Sequence, residues 1–281
     1  MNKILNEIKN ILKAKNVDEA DVKAKYILKE ALNLSDSDLV LGNLPKNYDI
    51  ALDIAKNHAQ NGTPIQHLLG FGYFMGEKFK VTKDVLIPRD ETELLVNLTI
   101  EKLDKINKNE AQILDIGTGS ACISCMIAKK RSNVEILGVD ISSPALLVAI
   151  ENVQKFDLIK KVVLRKSDIF SAIREKETFD IIISNPPYIP QDSVLDDVVK
   201  NFEPHSALFA KNCGLEFYEK IIKDAKKYLN KGGYLIFECG VFSNGEPQAP
   251  KIAQMLDLAG FCEIEIKKDL AGIERNVCAK N

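Results

Sequence analysis

The chain has 281 residues, of which 46% are hydrophobic and 28% are charged, a composition typical of a globular protein with room for two domains. Its formal net charge of −2, without a stripe of Lys and Arg, disfavours extended contact with nucleic-acid phosphates. No apolar run approaches the roughly 18 residues that a membrane span requires, and no apolar signal segment is apparent. We therefore expect a cytoplasmic protein with reduced cysteines.

The N-terminal residues have the spacing of amphipathic helices. An apolar stripe recurs every three or four residues, Asn16 and Glu19 are spaced as a capping box, and residues 35–38 resemble a further helix start. Over residues 1–75, nine lysines balance nine acidic residues, which suits contact with a protein better than contact with phosphates. This pattern predicts a small all-helical domain over residues 1–70 that docks a partner, or alternatively only caps the next domain.

A connector and then an alternation of strands and helices follow. Two short strands around Gly76 and Glu77 indicate a β-hairpin linker over residues 71–88. Residues 89–281 predict a doubly wound sheet of the α/β class. The predicted strands are Gln112–Ile116, Val134–Val139, Val162–Leu164, Phe179–Ser184, Tyr234–Glu238, Glu263–Lys267 and Asn276–Cys278. The predicted helices are Glu91–Leu103, Ala121–Lys130, Pro144–Gln154, Leu215–Leu229 and Pro250–Leu258.

A glycine-rich turn joins the first strand of this sheet to the following helix. It reads Gly117-Thr118-Gly119-Ser120-Ala121, and its glycines let a ligand approach the backbone. Cys122 stands where a dinucleotide fingerprint has Gly or Ala, and the turn lacks the Gly-Lys-Ser/Thr ending of a phosphate-binding loop. The turn therefore predicts a ligand that has neither a pyrophosphate nor a triphosphate.

Acidic residues lie at three successive strand ends, where open α/β sheets bind ligands. They are Asp115, Asp140 and Asp168. Asp140 suits a ribose diol, because two hydroxyls can each donate to one carboxylate. Asp168 could accept from an adenine amino group, with Ile169 or Phe170 covering the ring. Each acid alone is more often a solvated loop residue, but together they predict an adenosine pocket.

No metal set or catalytic histidine is evident in the sequence. Cys122 and Cys125 lack a second pair at zinc spacing, so we assign them to packing and predict no metal site. His58, His67 and His205 form no recognisable triad, so we assign no general base.

The sequence Asn185-Pro186-Pro187-Tyr188 directly follows an apolar strand. Two prolines remove two backbone donors and leave carbonyls without local partners. The Asn185 side-chain oxygen and the Pro186 carbonyl could accept both hydrogens of an –NH2 group, while the Tyr188 ring lies against a planar π-system. A turn in which Asn185 only caps the strand is the alternative. The first interpretation predicts a site for a conjugated amino group.

An adenosine pocket beside such an acceptor corner points to S-adenosylmethionine, whose sulfonium is the electrophile that the nitrogen needs. The chain resembles class I methyltransferases, and within them the release-factor glutamine methyltransferases of the HemK/PrmC type. The resemblance runs nearly end to end. Besides the glycine turn and residues 185–188, it includes residues 64–70, 85–93, 203–209, 214–218 and 268–275.

The resemblance implies a Rossmann-like class I methyltransferase sheet, a helical N-terminal domain and a hairpin linker. It also implies methylation of the side-chain nitrogen of the glutamine in the Gly-Gly-Gln loop of class 1 release factors. By position, residues 117–121, Asp140, Asp168, Ile169 and Asn185 would bind the methyl donor. Residues 185–188 would bind the glutamine, with catalytic roles for Asn185, Pro186 and Tyr188.

The chain departs from the family pattern at four positions. Ala121 replaces a third glycine, Asp90 a proline and His67 a common tyrosine. Glu238-Cys239-Gly240 reaches Gln248 through about five more residues than is usual, which puts the role of Gln248 in doubt.

Three other functions remain open on the sequence. The acceptor corner would also suit an adenine amino group of DNA or RNA, in an enzyme that flips its base. A glutamine of a ribosomal protein is a closer alternative, and a binding module without catalysis is a third. We expect a monomer that binds its protein substrate, without stable nucleic-acid or membrane contact.

Overall fold

The computed structural model describes residues 3–41, 45–193 and 197–281, which fall into two compact units. The smaller unit contains described residues up to 71 together with 197–202, and the larger contains the rest. From Gly72 onward, the hairpin that was predicted as a separate linker groups with the larger unit. Asn152 of that unit donates to the Lys80 carbonyl (3.0 Å) and accepts from the Lys80 N–H (2.7 Å). Across the described ranges, no helix combines the length and the apolar character needed to cross a membrane.

The helices are α1 (Lys3–Lys13), α2 (Ala20–Ala31), α3 (Asp36–Leu41), α4 (Asp49–Asn61), α5 (Ile65–Leu69), α6 (Glu93–Ile106), α7 (Cys122–Lys130), α8 (Ser143–Lys155), α9 (Asp197–Phe202), α10 (His205–Leu208), α11 (Glu216–Tyr228) and α12 (Ala249–Leu258). The strands are β1 (Phe71–Phe74), β2 (Glu77–Lys80), β3 (Ala111–Ile116), β4 (Val134–Asp140), β5 (Val162–Lys166), β6 (Phe179–Ser184), β7 (Ile189–Pro190), β8 (Phe209–Ala210), β9 (Leu229–Glu238), β10 (Cys262–Lys268) and β11 (Glu274–Lys280). Short 3-10 turns cover Asp90–Thr92 and Asn212–Gly214.

The smaller unit is helical, as its apolar stripe predicts. Ile8, Leu12 and Ile27 are fully buried in one apolar cluster. The predicted capping box is wrong, because Asn16 and Glu19 both have a φ of 53° and the Glu19 side chain makes no capping hydrogen bond. Helix α2 therefore begins after a left-handed residue.

The larger unit contains, within the described residues, a seven-stranded sheet in the order β10-β11-β9-β6-β3-β4-β5. Strands β9, β6, β3, β4 and β5 pair in parallel, and β11 is antiparallel to both of its neighbours. Every residue of β6 is buried, and its side chains alternate between two cores: Ile181 and Ile183 enter one, and Ile182 the other. Helices therefore cover both faces, which confirms the predicted doubly wound class.

Candidate active site

The order in which successive strands are added to the sheet reverses between β3 and β6. From β3 the chain continues to β4 on one side, and β6 pairs with the other side of β3. Register places Ile116 opposite both Val139 and Ser184, so the loops after these strands start at the same edge. A cavity of about 380 Å³ opens there. This is the switch point at which open α/β sheets bind ligands.

The glycine turn forms one wall of the cavity. The N–H groups of Gly117 and Thr118 both donate to the Val139 carbonyl, at 2.8 and 3.0 Å, so the turn is tied to the next strand. Gly117 has a φ of 75°, and a Cβ at this position would meet no atom within 4 Å. The turn is therefore an open cradle of the kind that a ligand can enter closely.

Asp115 stabilises the glycine turn through a buried hydrogen bond. It is fully buried, and its Oδ2 accepts from the hydroxyls of Thr118 (2.7 Å) and Ser124 (2.6 Å). Burial raises the pKa of Asp115 to about 6, against the lowering effect of the two hydroxyls. The residue thus holds the turn in place and is not part of the cavity wall.

Asp140 lies on the cavity wall at the end of β4. Its Oδ2 accepts from the Gly119 N–H and its Oδ1 from the Ser142 N–H, both at 2.9 Å. Burial raises the pKa of this carboxyl, while the backbone donors oppose the rise. Each oxygen keeps a lone pair for a further donor, so Asp140 fits the predicted ribose diol.

Asp168 and Ile169 lie at the cavity rim after β5. The turn is held by Ser167, whose hydroxyl donates to the Ile169 carbonyl (2.9 Å), and by the Asp168 N–H, which donates to Ser171 Oγ (2.9 Å). Phe170 instead stacks on Tyr228 in the core, with ring centroids 4.7 Å apart. Of the two candidates for covering an adenine ring, the structure therefore places Ile169 at the cavity.

Asn185 lies on the opposite wall, directly after β6. Its Nδ2 donates to Thr92 Oγ1 at 3.3 Å, and both Asn185 and Thr92 lower the pKa of the neighbouring Glu238 carboxyl group. The amide nitrogen is thus engaged by the protein. Asn185 Oδ1 has no donor among the described residues and can act as the acceptor, which is the orientation that an acceptor corner requires.

Glu238 was not assigned a role from the sequence. It ends β9, whose Phe237 pairs with Ser184, so it lies beside Asn185 across the sheet edge. Only 2% of its surface is exposed, and burial raises the pKa of its carboxyl to about 7, with Thr92 and Arg275 lowering it and Glu91 raising it. The sequence feature that could have identified Glu238 is its position as an acidic residue at the end of an apolar strand.

We predict that Glu238→Gln flattens the pH dependence of stability. A folded-state pKa raised from 4.5 to about 7 gives stabilisation that is fully present below pH 4.5 and is lost as the pH rises through 7. At ~1.4 kcal/mol per pKa unit, the parent should lose about 3 kcal/mol of unfolding free energy relative to the variant by pH 8. Urea unfolding from pH 4.5 to 8 measures this difference. The exposed Glu246→Gln is the control, and parallel curves for parent and Glu238→Gln would contradict the prediction.

Two predicted contacts are revised by the structure. Pro186 and Pro187 line the cavity, but Tyr188 does not. Its ring lies against Gly240, where a Cβ would come within 2.7 Å of two ring carbons, and burial raises the pKa of its hydroxyl. Ala121 likewise lies outside the described lining, because its φ of 61° and full burial put its methyl group in the core. Tyr188 and Ala121 therefore pack behind the residues that line the cavity.

The remaining wall near the acceptor corner includes Arg89 and Pro204. Arg89 forms an ion pair with Glu203, which is 5% exposed. Asp90, which departs from the family pattern, is exposed at the start of the 3-10 turn that carries Thr92. The departure therefore leaves the hydrogen bond from Asn185 to Thr92 in place.

The strand order and the cavity at its switch point are those of a class I methyltransferase, a fold that binds a methyl donor. A family model described as a methyltransferase domain matches residues 107–268, and a model described as the PrmC N-terminal domain matches residues 3–70. A methyltransferase from Pyrococcus furiosus has the same fold, with a TM-score of 0.51 at 18% identity over 74% of this chain and 90% of that chain.

Curated relatives cover three quarters or more of the chain. The release factor glutamine methyltransferase of Clostridium botulinum is 36% identical over 99% of this chain and 98% of its own length. That of Thermodesulfovibrio yellowstonii is 40% identical over 75% of this chain and 74% of its own length. The chain belongs to the release factor glutamine methyltransferase family, which confirms the resemblance found in the sequence.

Proposed function

We propose that the protein transfers the methyl group of S-adenosylmethionine to the side-chain amide nitrogen of the glutamine in the Gly-Gly-Gln motif of class 1 peptide chain release factors. The observation that carries this proposal is the orientation of Asn185. Its nitrogen donates to Thr92 Oγ1 at 3.3 Å, which leaves its oxygen as the side-chain acceptor of a residue that lines the cavity. The names of the curated relatives support the same substrate.

The donor half of the cavity fits an adenosine. The cradle at Gly117 and Gly119 admits a ligand close to the backbone, Asp140 accepts from a ribose diol, and Asp168 and Ile169 lie where an adenine would be held. When bound, S-adenosylmethionine supplies a methyl group on a positively charged sulfur. The residues of this half bind and orient it.

The acceptor half positions the glutamine nitrogen. An amide nitrogen is a poor nucleophile because its lone pair is delocalised, so orientation is the main contribution that the protein can make. Asn185 Oδ1 and the Pro186 carbonyl accept its two hydrogens, and the two prolines present no competing N–H. No histidine lines the described part of this cavity, and the nitrogen loses its proton to water or to the Asn185 carbonyl after methylation has made it acidic.

The helical unit contributes to substrate recognition in this proposal. It matches the PrmC N-terminal domain over residues 3–70 and carries balanced charge, which suits a protein surface. We expect the enzyme to act as a cytoplasmic monomer on a folded protein loop, with no stable nucleic-acid or membrane partner.

A labelling panel tests the substrate. Radiolabelled donor is supplied with a class 1 release factor, its Gly-Gly-Gln to Gly-Gly-Ala variant, ribosomal proteins, and single- and double-stranded DNA. Label should enter only the parent release factor. Equal labelling of the Gly-Gly-Ala variant, or labelling of DNA or a ribosomal protein in place of the factor, would reject the proposal in favour of an alternative acceptor.

A further inference from the structure

Gln248 lies outside the cavity lining, is fully buried, and joins three segments of the large unit. Its Oε1 accepts from the Gly240 N–H at 3.2 Å, and its Nε2 donates to the carbonyls of Tyr188 (2.9 Å) and Cys213 (3.3 Å). These partners lie after β9, in the acceptor corner and before α11. Both ends of one amide are therefore committed to backbone groups, which is how a buried amide is satisfied.

Two glycines make room for this arrangement. Gly214 has a φ of 89°, and a Cβ there would lie 2.1 Å from the Tyr188 oxygen and 2.4 Å from Gln248 Nε2. A Cβ at Gly240 would lie 2.7 Å from the Tyr188 ring. The Tyr188 carbonyl therefore accepts from Gln248, and the Tyr188 ring packs against Gly240 at a distance that leaves no room for a Cβ.

The loop before Gln248 is closed by backbone contacts at its two ends. Val241 bridges to Pro247, and the Gln248 N–H donates to the Gly240 carbonyl at 3.1 Å, so the loop closes on itself. Ser243 in this loop also donates to Asp192 Oδ1 at 2.9 Å, which adds a second tie to the segment after the acceptor corner. The lengthened loop thus ends beside Gly240, where it began.

We infer that Gln248 is a positioning residue for methyl transfer, acting through the Tyr188 carbonyl on the acceptor corner; this inference rests on the proposed function. Pro186 and Pro187 link Tyr188 to Asn185 with fixed φ angles, so a shift of the Tyr188 backbone is passed on to the acceptor groups. Reaction rates depend steeply on such geometry, since a 1 Å misplacement can cost about 10²-fold. The donor half of the cavity has no hydrogen bond to Gln248 among the described residues.

Gln248→Met, which keeps the side-chain length and removes all three hydrogen bonds, tests this inference. We expect kcat at saturating donor and acceptor to fall about 10–100-fold, with less than a twofold change in the dissociation constant of S-adenosylmethionine. Gln254→Met, at an exposed position of helix α12, which begins directly after Gln248, should keep the parent kcat. The Cβ added by Gly214→Ala would displace the same Tyr188 carbonyl. The fall in kcat of the double variant should therefore be smaller than the product of the falls in the two single variants.

Parent kcat in a folded Gln248→Met protein, or a loss of donor affinity as large as the loss of kcat, would overturn the inference. If Gln248→Met does not fold, Gln248→Glu is measured instead, because it keeps the acceptor for Gly240 and removes the amide donor to Tyr188. The two variants at 248 and 254 are compared on whichever acceptor the parent labels. If the acceptor is not a release factor, the role of Gln248 can therefore still be tested, and the two failures are distinguishable.

Discussion

Asn185→Ala should lower turnover by about 10²–10³ with donor affinity little changed, as loss of one preorganised polar group can. The reason is that Asn185 lines the cavity and, when its Nδ2 bonds to Thr92, its Oδ1 has no other donor among the described residues. Turnover is measured by methyl transfer at saturating donor, and donor affinity by calorimetry. Asn97→Ala, at an exposed position of α6, is the matched control.

The alternative for Asn185 is a residue that only caps the end of β6. In that case Asn185→Ala would lose some stability and keep near-normal turnover. Asn185→Asp adds a further comparison, because it keeps the size and an acceptor but cannot donate to Thr92. A fall in turnover for Asn185→Asp as well would show that the orientation of the amide matters, and not merely the presence of an oxygen.

Asp140→Ala should weaken S-adenosylmethionine binding by about 1–3 kcal/mol, the range for leaving a buried polar group unpaired. The carboxylate also holds the N–H groups of Gly119 and Ser142, both at 2.9 Å, so its removal loosens the turn as well. Asp140→Asn keeps one acceptor oxygen and should lose less affinity. Calorimetric titration of each folded variant gives the measurement, with the exposed Asp257→Ala as control. Parent affinity in Asp140→Ala would remove Asp140 from the donor site.

Most of the fold of the large unit is predictable from local pattern. Apolar runs such as Phe179–Ser184 are strands buried on both faces, and the helices between them have amphipathic spacing. The start of β9 was missed by five residues, because Asn230-Lys231-Gly232-Gly233 has the composition of a turn. In the structure, Gly232 has a φ of 79° and the pairing with β6 shifts register here, so β9 continues through the irregularity.

The site contacts that could not be predicted from the sequence join segments that are distant along the chain. Glu238 meets Asn185 only because β9 pairs with β6, and Thr92 reaches the same corner from the turn before α6. The orientation of Tyr188 is set by Gly240, which is more than fifty residues away. By contrast, Asp140 ends its own strand, so its place at the sheet edge could be predicted.

The position of β11 leaves the sheet of the large unit incomplete until residues 274–280 have been synthesised. Strand β10 is made first, but among the strands that the structure describes its one neighbour is β11, which is Glu274–Lys280. Strands β3, β4, β5 and β6 are already mutually adjacent by then, and β9 can join them. A nascent chain that stops before residue 274 would therefore present the open edge of β9, which is a template for strand addition by another chain.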